Sequence, residues 1–87
     1  MDPKVFDALV GKYQLAPGII LAIQRDGDKL MTQLTGQPAF QIFPESETEY
    51  FLKVVDAQLS FVKGADGKVT QVILHQNGRD LPAPKVE

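Results

Sequence analysis

Four consecutive residues, Ser60-Phe61-Val62-Lys63, spell Ser-x-x-Lys, a spacing at which a lysine amine can activate a serine hydroxyl for attack on a carbonyl. That chemistry needs the two groups within hydrogen-bond reach, which a helix supplies. On a strand, residues three apart point to opposite faces, and Leu59, Phe61 and the following Gly64 read as a strand ending in a turn. The companion boxes Tyr/Ser-x-Asn and Lys-Thr-Gly are absent, so no catalytic residue is assigned and the chain is expected not to be an enzyme. His75 is the single histidine. With no carboxylate noted close to it in sequence it builds no metal site, but at a barrel mouth it could orient a ligand; the plainer reading is a half-exposed strand histidine. Glu45, Glu47 and Glu49 recur at period two and could line one face as a weak cation site. Without Asp/Asn ligands and calcium-loop glycines they read instead as a solvated strand entrance. No metal ligand and no cofactor is assigned.

The aromatics Tyr13, Phe40, Phe43, Tyr50, Phe51 and Phe61 could line an apolar ligand pocket or simply fill a core. Phe40, Phe51 and Phe61, with His75, are the ligand-binding candidates. Stacking on RNA is disfavoured because basic residues do not interleave with them.

The elements that must position these residues are short and punctuated. Asp2 as cap, Pro3 at the first helical position and the stripe Val5, Phe6, Leu9, Val10 predict a helix over about residues 3–10. Beyond Gly11 the period changes to segments rich in Val, Ile, Phe, Tyr and Thr, separated by turn residues. Eight strands are expected, over 12–16, 19–24, 29–35, 39–43, 49–55, 58–63, 68–76 and 79–83. Asp26-Gly27 and Asn77-Gly78 are the clearest hairpin signals. Pro82 and Pro84 are expected to end regular structure and leave 84–87 as a loose tail. Alternation gives inward faces such as Leu59 with Phe61, and Val72 with Leu74. Sequential hairpins without long crossovers favour an up-and-down order, and eight strands can close around side chains or one small ligand.

At 87 residues the expectation is one domain, 1–87, with one compact core. Nine basic against eleven acidic residues leave a net charge of -2, which argues against nucleic-acid binding. The absence of cysteine removes disulfides and thiolate sites. The apolar run Gly18–Ile23 is far too short to span a bilayer, and no signal peptide is read in this chain. The compartment stays open between a bacterial cell envelope or periplasm and the cytoplasm.

Several motifs recur in a recognisable order. They are Tyr13-Gln14-Leu15-Ala16-Pro17-Gly18, Asp26-Gly27, Gln33-Leu34-Thr35-Gly36-Gln37-Pro38, Phe43-Pro44-Glu45-Ser46-Glu47, Tyr50-Phe51, Asp66-Gly67-Lys68-Val69 and His75-Gln76-Asn77-Gly78. Together they resemble the DUF3471 family, the C-terminal domain of S12 (beta-lactamase-like) serine peptidases. The resemblance implies an all-β, lipocalin-like, eight-stranded antiparallel up-and-down barrel. It also implies a non-catalytic accessory domain that contacts a serine hydrolase catalytic domain in cis or in trans, or shapes its active site. Two alternatives stand beside it: a free-standing barrel for a small apolar ligand, and a homo-oligomeric interaction module.

Overall fold

The structure is a computed structural model, and it describes residues 4–87. A short helix, α1 (Lys4–Asp7), precedes eight strands: β1 (Gly11–Ala16), β2 (Ile19–Asp26), β3 (Lys29–Leu34), β4 (Phe40–Pro44), β5 (Glu49–Phe51), β6 (Ala57–Lys63), β7 (Val69–Gln76) and β8 (Arg79–Pro84). Each pairs antiparallel with the next, in the order β1-β2-β3-β4-β5-β6-β7-β8. This is the up-and-down meander expected from the hairpins.

The ends of the meander approach each other through the C-terminal residues. Tyr13 bridges Lys85. The amide of Val86 donates to the carbonyl of Lys12 at 2.8 Å, and Lys12 donates to Glu87 at 3.1 Å. The segment 84–87, expected to be loose, is therefore a strap that nearly closes the barrel. Proline at 84 removes one donor, but the amides of 85–87 that follow it remain free to pair. Gly11 makes this approach feasible: a Cβ there would collide with the carbonyl oxygen of Glu87 and the side chain of Lys85.

Strand alternation sends Tyr13, Leu21, Ile23, Leu30, Ile42, Tyr50, Leu59, Phe61, Val72 and Ala83 inward, all buried. The helix is shorter than expected, and Asp2 and Pro3 lie outside the described residues. Past Asp7 the chain tightens into a turn in which Leu9 and Val10 both donate to the carbonyl of Phe6. Phe6 and Leu9 are buried and enter the core, so this segment seals one end of the barrel. Arg25 holds it from β2, donating to both Asp7 carboxylate oxygens at 3.0 and 2.9 Å. Beneath it the rings of Tyr13, Phe61, Tyr50 and Phe6 meet edge to face in sequence, with centroids 5.9, 5.4 and 6.1 Å apart. Such pairs add to simple area burial.

Strand β5 is shorter than the 49–55 expected. Leu52 donates to the carbonyl of Ala57, closing a loop in which Val54 and Val55 are exposed. The Asp26-Gly27 hairpin signal is displaced by one residue: Asp26 pairs with Lys29, so the loop is Gly27-Asp28.

The buried phenols set an alkaline limit on stability. Burial pushes Tyr13 from 10.0 up to about 12. Burial, then the Glu47 carboxylate, pushes Tyr50 up to about 12. Each folded-state value lies above the unfolded one, so the contribution is full below pH 10 and is lost as pH rises towards 12. Denaturant unfolding from pH 8 to pH 12 should show stability falling steeply above pH 10, with a shallower fall in Tyr13→Phe. A flat profile would contradict this.

Candidate functional site

Two features of the barrel could carry function: a polar row across its outer face and the end left open opposite α1. The row begins with the Asn77-Gly78 turn. Both residues have positive φ, 55° and 74°, the combination a two-residue hairpin loop of the inverted type requires. That turn sets His75 opposite Asp80. On the other side of β7, Ser60 pairs with Ile73, which leaves Ser60 and His75 diagonal on one face. Glu49 lies directly opposite Ser60.

The result is a chain of side chains across four strands. The Ser60 hydroxyl donates to Glu49 Oε2 and lies 2.8 Å from His75 Nε2. His75 Nδ1 lies 2.6 Å from Asp80 Oδ1. Serine, histidine and aspartate thus stand in the order of a hydrolytic triad, but the Ser60 hydroxyl also faces a carboxylate, Glu49. A general base has to accept the serine proton, and here Glu49 stands beside His75 as a second acceptor for it. The amide after a nucleophile commonly helps to hold the oxyanion, yet the Phe61 amide is engaged by the Thr48 carbonyl at 2.8 Å. Ser60 also bonds Glu49 and His75 rather than Lys63, which its strand position keeps apart. The row is a cross-strand ladder on a wet surface, since the Asp80 side chain is 76% exposed. Such pairs contribute a few tenths to about 1 kcal/mol.

At the open end, strand alternation brings apolar residues to a mouth with no plug. A cavity of about 120 Å³ lies there, with Leu21, Leu59 and Leu74 among its walls and Phe40, Leu52 and Val55 also lining it. Around this end Ile19, Val54, Val55 and Leu81 are the exposed large apolar side chains.

The four sequence candidates separate into different places. Phe40 lines the open-end cavity. Phe61 is buried in the aromatic set at the sealed end. Phe51 is half-buried against Phe43, on the outer face that Glu49 shares, with Lys53 over the Phe43 ring at 4.1 Å. His75 sits in the outer row. Glu45 and Glu47 lie in the bend before β5, while Glu49 is that strand's first residue, so the three do not line one strand face.

Sequence reasoning missed Asp80 as the partner of His75, although the Asn77-Gly78 hairpin implied it: a two-residue loop places residues five apart face to face. It also missed Thr32 at the cavity, where a single hydroxyl within an alternating strand gives no distinct signal.

The family model for a domain of unknown function, DUF3471, matches residues 1–84. The chain belongs to that family. It is also 26% identical over 87 residues to penicillin-binding protein 4* of Bacillus subtilis (strain 168), and spans all of its own length but 19% of that protein's, within the C-terminal region. No solved structure matches it significantly. No helix among the described residues is long and apolar enough to cross a membrane.

The Glu49 contact and the engaged Phe61 amide give a test. Incubation with a fluorophosphonate probe should leave Ser60 unmodified by intact mass, and Ser60→Ala should shift unfolding by no more than about 1 kcal/mol. A stoichiometric adduct on Ser60 would overturn the ladder reading.

Proposed function

We propose that this DUF3471 domain is a non-catalytic accessory module of a beta-lactamase-like serine hydrolase. It works through the open end of its barrel, which lies against the catalytic domain and helps to shape the approach to that domain's active site. The observation that carries this reading is that four of the five exposed large apolar side chains among the described residues lie at one end. Ile19, Val54, Val55 and Leu81, 39%, 64%, 44% and 37% exposed, gather at the end opposite α1. Apolar side chains clustered at one end of a small domain mark a contact surface better than the same residues scattered singly.

Two further points favour it. The relative at 26% identity carries most of its length outside the matched region, which is where a catalytic domain would reside. The outer row offers no nucleophile with a free oxyanion site, so the chain's own chemistry does not compete with a supporting role.

The test joins this chain to the catalytic part of penicillin-binding protein 4* in place of the region it matches. The expected outcome is a shared unfolding transition that Val54→Asp with Val55→Asp splits, weakening interdomain coupling by about 2 kcal/mol. Val86→Asp is the control, since Val86 is 49% exposed but lies beside Lys12 at the sealed end. Equal effects of the two changes, or none, would contradict docking through the open end.

A further inference from the structure

Thr32 is an inward residue of β3, paired with Ile23 on one side and Phe40 on the other. It is 5% exposed, and its Oγ1 has no hydrogen-bond partner among the described residues. It is also one of the side chains lining the open-end cavity. An unpaired buried hydroxyl destabilises the state that contains it, and packing alone gives no reason for one, since valine has the same shape. Oγ1 is itself buried, and another of the staggered χ1 rotamers sets it where the methyl stands, which would present it to whatever fills the space.

We propose that the open end of the barrel binds one compact, uncharged, mainly apolar molecule of about single-ring size, whose hydroxyl or carbonyl oxygen pairs with Thr32 Oγ1. The volume sets the size. An apolar cavity of about 150 Å³ accepts benzene, and this one is about 120 Å³ and open at the mouth, so a small substituent can project outward. A long acyl chain does not fit. The lining sets the charge. Apart from Thr32 its polar members are the amides Gln37 and Gln76, and no ionised side chain lines it. A carboxylate or ammonium would lose its hydration there without a counter-charge.

This inference does not depend on docking to a catalytic domain, because the cavity belongs to the chain by itself. Its test follows the amide NMR spectrum of the 87-residue chain titrated with phenol, toluene and hexanoate. Phenol should bind saturably, with shifts centred on Thr32, Phe40 and Leu52. Toluene should bind about three- to tenfold more weakly, the worth of one hydrogen bond, and hexanoate should not saturate. In Thr32→Val, phenol should lose its advantage while toluene is unchanged. Ala57→Leu, which adds bulk to a lining position, should abolish both. No saturable binding of phenol, hexanoate binding as tightly as phenol, or a phenol preference that survives in Thr32→Val would overturn the proposal. Loss of phenol binding alongside an intact shared transition in the fusion would remove the ligand site and leave the docking reading standing.

Discussion

Everything in this molecule depends on filling and closing a small barrel from one end. Eight short strands give inward faces that must be covered, and a chain of 87 residues has little to cover them with. The solution is a single turn of helix and its following loop, which drop Phe6 and Leu9 onto the ring set of Tyr13, Phe61 and Tyr50. The C-terminal strap then lies along β1, where Gly11 leaves room for it. Packing and closure thus meet at the same end, and Tyr13 takes part in both: its ring is buried, its hydroxyl donates to the Leu9 carbonyl at 2.6 Å, and its backbone bridges Lys85.

Concentrating the bulky residues at one end leaves the other under-filled. The cavity, the unpaired Thr32 hydroxyl and the exposed apolar rim are three consequences of that asymmetry. The outer face follows different rules. There the polar row from Glu49 to Asp80 is held by strand register, with a carboxylate beside the Ser60 hydroxyl and the Phe61 amide engaged by the Thr48 carbonyl.

The parts of this fold set by local chemistry were legible in the sequence. Turn residues and alternating apolar positions mark all eight strands and the meander order, because hairpins are encoded within a few residues of each other. Ser60 falls within a strand, as the alternation of Leu59 and Phe61 around it indicates. What escaped depends on pairing across distance. The strap at 84–87 looked loose because Pro84 ends a strand in sequence, while its partners on β1 lie at the other end of the chain. The loop 52–56 looked like strand because Leu52, Val54 and Val55 are good strand formers, yet no partner strand reaches them. Phe40, Phe51 and Phe61 seemed one set by residue type; alternation and height in the barrel send them to the mouth, the outer face and the sealed core.

The claim that the open end is the functional end is tested most directly by hydrogen–deuterium exchange on the chain alone and on the chain joined to a penicillin-binding-protein-like catalytic domain. The account predicts slowed exchange, on joining, at the open-end segments 17–18, 35–39, 52–56 and 77–78, with the amides of α1 and the loop 64–68 unchanged. Slowing confined to α1 and 64–68 would place the contact at the sealed end and contradict it.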